Sequence, residues 1–200
     1  MASSNTELIH KYLSHNNIIN IEKSKQLAMV ANLVARIPFG EARTIKEVLT
    51  TKKVGTCSGK HEVLKACLDE LEISNSNVFC TFRWNDQKIQ FPKHLHNMLM
   101  GVTWDHGHNF LKVLNSEGKY IEVDVTINPG LEKYGFQAFP ENWDGLQSTP
   151  LAFDKIIKKW EGGDIAFEKK KLMNSLSPEL QEHRKIFLSE LFKWIKKINK

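Results

Sequence analysis

Cys57, His108 and Asp124 are of types that together carry nucleophilic acyl chemistry: a thiol to attack, an imidazole to move the proton, and a carboxylate to orient the imidazole. A thiol attacks only as thiolate, so a reactive cysteine needs a positive environment. From Gly59 to Ile73 the apolar residues Val63, Leu64, Cys67, Leu68 and Leu71 mark one stripe of an amphipathic helix, and Cys57 falls at its N-terminal approach. Unpaired N–H groups converge at such a helix entry, which favours the thiolate and lets the Cys57 backbone N–H stabilise an oxyanion. Gly55 and Gly59 on either side allow a tight turn and close approach by a substrate.

The base and its orienting carboxylate fall on one predicted hairpin. His108 to Leu114 and Tyr120 to Thr126 alternate in the strand period, separated by residues 115–119. With Ser116-Glu117-Gly118 as the loop and Gly118 in the left-handed bulge position, Asn115 faces Lys119 and Phe110 lies opposite Asp124. His108 is then diagonal to Asp124 on the same face. Diagonal neighbours stand roughly 7–8 Å apart at the backbone, a gap an imidazole and a carboxylate together close. Leu111, Val113, Ile121, Val123 and Val125 form the opposite, apolar face. The arrangement predicts Cys57 sulfur near one His108 nitrogen and Asp124 on the other.

The elements around these residues are mostly helical. Leu8, Ile9, Tyr12 and Leu13, then Leu27, Val30, Ala31 and Val34, recur at helical spacing before a break at Pro38. A short helix follows Thr44, whose hydroxyl is placed to cap it. Val78 to Trp84 reads as a strand, and residues 85–105 as a long irregular connection rich in His and Met. After Pro150 the pattern turns lysine-rich and helical, broken at Gly162-Gly163 and restarted by Ser177-Pro178. That last helix carries an apolar face of Leu180, Phe187, Leu191, Trp194, Ile195 and Ile198, which packs on the core or on a partner.

The segment Gly55-Thr56-Cys57-Ser58-Gly59-Lys60-His61 with its helix, then His108-Asn109-Phe110, then Tyr120 to Thr126, resembles the transglutaminase-like family over residues 25–130. Phe110 stands where Trp is frequent after the histidine, and Tyr120 where Trp is common before the aspartate. The resemblance implies an α+β fold: a papain-like core with the nucleophile helix packed on a small antiparallel sheet, plus a C-terminal helical extension. With the change of pattern after Pro150, residues 1–150 are expected to form the catalytic domain and 151–200 the extension. It implies Cys57 as nucleophile, His108 as base, Asp124 as orienting carboxylate, and a peptide, protein or small amide as substrate. The outcome would be amide or peptide hydrolysis, or transamidation. The alternative is a non-catalytic binding module that retains the fold and docks a protein partner through the lysine-rich C-terminal helix.

Other residues have plainer readings. Cys67 on the apolar stripe and Cys80 within a strand read as core, and His61 as a surface or packing residue. A rival metal site would use His94, His96, His106 and His108, since alternate strand residues project to one side. It needs three or four histidines to converge, which the irregular 85–105 stretch does not ensure, and it takes His108 from the triad. No EF-hand-like loop or dense carboxylate cluster is present for calcium, so neither a metal nor another cofactor is expected. Asp105 and His106 are candidates to line a cleft, with Trp84, Trp104 and Trp143 as walls or core.

Composition bounds the class. Apolar residues at 41% and charged residues at 26% describe a folded globular chain. A net charge of +5 invites a polyanion, but many of the lysines lie in the last third, where Lys169 to Lys171 and the final helix read as solvated faces. Nucleic-acid binding is therefore not expected. Three cysteines make no disulfide framework, no apolar run approaches a membrane span, and the expected location is cytoplasmic.

Overall fold

The computed structural model describes residues 4–199. Two helices open the fold: α1, Asn5–His15, capped by Ser4, whose side chain accepts from Glu7 N–H, and α2, Lys23–Arg36. The short helix expected after Thr44 is a π-helical turn, Glu47–Thr51, with the Thr44 hydroxyl accepting from Glu47 N–H. Then comes α3, Cys57–Glu70, whose N-cap Thr56 accepts from Gly59 N–H at 3.2 Å. A Thr cap of this kind stabilises a helix by about 1 kcal/mol. It also defines Cys57 as the first helical residue.

The sheet is antiparallel, with strand order β3-β2-β1-β4. Its members are β1 (Asn75–Phe82), β2 (His106–Leu114), β3 (Tyr120–Val123) and β4 (Ile156–Glu161). The β2–β3 hairpin has the register expected from its loop: Leu111 opposes Val123, Val113 opposes Ile121, and Asn115 N–H bonds Lys119 C=O. Gly118 has φ +74°, the left-handed value that the bulge needs. Strand pairing stops at Val123, one residue before Asp124.

Two readings of the chain change. Residues 85–105 are not wholly irregular, since they contain a helix, α4, Lys93–Leu99. The stretch after Pro150 is not helical at first. Ile156–Glu161 pairs antiparallel with β1 and forms an edge of the sheet. The physical reason lies in Ile156, Ile157 and Trp160, whose branched and aromatic side chains favour a strand, while Lys158 and Lys159 are the charges that edge strands tolerate. Two helices then supply the expected C-terminal extension: α5, Ile165–Asn174, and α6, Pro178–Ile198.

One core fills the space between α1, α2, α3 and the apolar face of β2 and β3, with Leu13, Val30, Leu64, Cys67, Leu111 and Val113 fully buried. A second, aromatic core joins Phe82, Trp84, Leu95, Trp104 and Phe153 to Phe187, Leu191 and Ile195 of α6. The apolar face of α6 is therefore spent on this chain's own core. Cys57, His108 and Asp124 lie near where α3 packs against β2.

Candidate active site

Cys57 opens α3 and is half-buried. As first helical residue its N–H has no acceptor within the helix. The helix start is held in place from behind. Thr56 N–H and hydroxyl both donate to Ala42 C=O, at 2.9 and 3.0 Å, and a Cβ at Gly59 would collide with that same carbonyl. The close approach that Gly59 permits is thus by the protein's own backbone, not by a substrate.

Two buried side chains finish the anchoring. Lys60, fully buried, donates to Ala35 C=O at 2.9 Å and Thr126 C=O at 3.0 Å, tying α3 to the end of α2 and to the segment after β3. Burial lowers its pKa to about 7 against the pull of Asp124. His61 is also buried. Its Nε2 accepts from Val125 N–H at 3.1 Å, which fixes the proton on Nδ1, where it donates to Cys57 C=O at 2.8 Å. Burial lowers the His61 pKa to about 4, so the ring is neutral. His61 is a strut between the cysteine and the aspartate.

His108, buried on β2, donates from Nε2 to Asp124 Oδ2 at 2.7 Å. Asp124 is itself held by its neighbours: Oδ2 accepts from Ala152 N–H at 2.8 Å, Oδ1 accepts from Thr126 N–H at 3.0 Å, and its own N–H donates to Thr149 Oγ1 at 2.8 Å. Burial works to raise its pKa, but the His108 ring and these donors hold the carboxyl well below the usual carboxylate range. His108 Nδ1 is the ring nitrogen left for the thiol. It is buried and makes no well-aligned hydrogen bond, yet ring and sulfur are close enough for each to shift the other's proton affinity. The structure brings Cys57, His108 and Asp124 together in that order.

A fourth residue joins them. Lys169, from α5, places its ammonium 3.3 Å from Cys57 Sγ and 2.6 Å from both Ser58 Oγ and Asn109 Oδ1. Burial alone would raise the thiol pKa, but Lys169 and His108 outweigh it and lower it to about 5. Burial likewise opposes the His108 charge, and Asp124 and the thiolate override it, raising His108 to about 9. Thiolate and imidazolium therefore coexist through neutral pH. Lys169 gave no signal in the sequence beyond its basic run, because it reaches the site across 112 positions. Asn109 could have been suspected only as the neighbour of the base.

A cavity of about 800 Å³ opens over the sulfur, lined by Cys57, His108, Phe39, Trp84, Phe153 and residues of α5 and α6. Asp105 and His106 line it as well. Trp104 and Trp143 lie in the two cores. Cys67 and Cys80 are fully buried, and burial pushes both thiols above their ordinary pKa. His94 and His96 sit two apart on helix α4, where such residues face different sides. Among the described residues no three His, Cys, Asp or Glu side chains are grouped to hold a metal, and no helix is long and apolar enough to cross a membrane.

No family model and no curated protein matches the chain. Among solved structures, one described as "Crystal structure of a TGase" aligns with a TM-score of 0.41 at 11% identity, over 76% of this chain and 50% of that one. The chain thus spans about half the length of that structure.

Proposed function

We propose that this chain carries out thiol-dependent acyl transfer of the transglutaminase-like kind, with Cys57 as nucleophile, His108 as base and acid, and Asp124 as orienting carboxylate. The observation that carries the reading is the 2.7 Å bond from His108 Nε2 to Asp124, which leaves Nδ1 for a thiol whose pKa is lowered to about 5. The thiolate adds to an amide or ester carbonyl, forming the C–S bond, and the Cys57 N–H at the helix entry faces the developing oxyanion. Collapse breaks the C–N or C–O bond, and the imidazolium of His108 gives its proton to the leaving group. Neutral His108 then takes a proton from water or an amine as it attacks the thioester. The acid or the new amide departs and the thiol is regenerated. Substrates of this chemistry are peptides, proteins or small amides.

The second reading, a binding module without turnover, draws on the position of Lys169. An ammonium held by Ser58 and Asn109 directly over the sulfur would cap the thiol if it never moved. Trapping with p-nitrophenyl acetate separates the two. Intact-mass analysis should find one acetyl group, on Cys57, absent from Cys57→Ala, and formed about 100-fold or more slowly by His108→Ala. Acetylation spread over lysines, and equal in the Cys57→Ala protein, would refute the catalytic reading.

A further inference from the structure

The wall of the cleft contributed by α6 and by the loop before the π-helical turn is more positive than the chemistry at sulfur requires. Arg43 and Arg184 both line the cavity. Among the described residues the arginine that forms an ion pair is Arg83, on Asp105 at 2.8 Å, and Arg43 and Arg184 form none. Arg184 is half-buried, and burial together with the neighbouring Arg43 holds its guanidinium below its ordinary pKa, while the Cys57 sulfur pulls the other way. Both guanidiniums line the same cavity as the Cys57 sulfur. His106 lies in the same field. Burial, then Arg184, Lys169, His108 and Arg43, hold its pKa well below the ordinary histidine value, and its Nδ1 is buried without a partner.

The other charged groups lining the cavity do not compensate. Asp105 is taken by Arg83, Lys65 by Asp69, and Asp164 accepts from Ala166 and Phe167 N–H as the cap of α5. Lys169 faces the sulfur. What remains is Arg43, Arg184 and Lys170 against a single exposed carboxylate, Glu62. Two guanidiniums that line one cleft without an ion-pair partner raise the energy of the empty site. An anion shared between them lowers it, and a carboxylate meets their planar forks with paired N–H donors. From this juxtaposition we infer that Arg43 and Arg184 form a subsite for a carboxylate carried by the acyl substrate, a few bonds from the carbonyl that Cys57 attacks. This rests on the acyl-transfer reading and deepens it. The preferred substrate is an acidic amide or peptide.

The test compares two alkylating reagents at Cys57, 3-maleimidopropionate and N-ethylmaleimide, with each rate divided by the rate for free glutathione. The wild-type chain should favour the carboxylate reagent by about tenfold, as expected where clustered charge steers an anion. Arg43→Gln alone and Arg43→Gln/Arg184→Gln should bring the ratio towards one, and Arg43→Lys/Arg184→Lys should retain most of it. The exposed Arg43 single variant carries the test if the double variant folds poorly. A wild-type ratio near one, or a preference that persists in the glutamine variants, overturns the subsite. A Cys57 no more reactive than glutathione towards N-ethylmaleimide would instead remove the acyl-transfer reading beneath it.

Discussion

At the scale of single residues the site is an arrangement of charge. Cys57 sits between two basic partners of different kinds, His108, which can give and take a proton, and Lys169, whose ammonium is held by Ser58 and Asn109. Their parts are separable. Lys169→Met should move the midpoint of Cys57 ionisation upwards, as followed by ultraviolet thiolate absorbance, whereas Lys169→Arg should keep it low. A midpoint unmoved by the methionine would show that His108 alone holds the thiolate. Asp124→Asn acts through the imidazole: it removes the charge that raises His108 and disturbs its tautomer, so acyl transfer should fall by something on the order of 10³ or more. The same change should shift the His108 ring titration downwards by NMR, a readout that mere loss of stability would not produce.

At the scale of elements the question is how a helix entry and a strand pair are kept in register. The start of α3 rests on Ala42 C=O through Thr56, and Lys60 and His61 extend the same anchoring to the end of α2 and the segment after β3. Gly59 is the point where this docking is tightest. Gly59→Ala drives a Cβ into Ala42 C=O and Val48, and should cost about 1–3 kcal/mol in urea unfolding together with much of the Cys57 reactivity. Gly118→Ala is the contrast, since nothing lies near its added Cβ and only its φ of +74° opposes the change. It should cost about 1 kcal/mol and leave the thiol as reactive as before. Equal losses of reactivity in the two variants would show that the α3 docking does not position the nucleophile.

At the scale of the whole molecule, what could be read from the chain and what could not divide along sequence distance. The α3 stripe, the hairpin register and the Gly118 bulge follow from local periodicity and turn chemistry, so the meeting of His108 and Asp124 was legible. The strand Ile156–Glu161 was hidden because its central lysines resemble the helical pattern that follows. Lys169 and the Arg43–Arg184 pair were hidden because only the tertiary fold carries α5 and α6 to the cleft. His61 reads as a surface or packing residue, and only the tertiary fold shows it and Lys60 buried. All of this converges on the state of one sulfur. The most direct measurement is the rate of Cys57 alkylation by iodoacetamide against pH, with the modified residue identified by peptide mass. With its pKa lowered to about 5 by Lys169 and His108, Cys57 should label at half its full rate near pH 5 and reach the plateau by neutral pH, while imidazolium persists to about 9. A midpoint near the ordinary thiol value of about 8.5, with Cys57, Cys67 and Cys80 labelled equally slowly, would contradict the account.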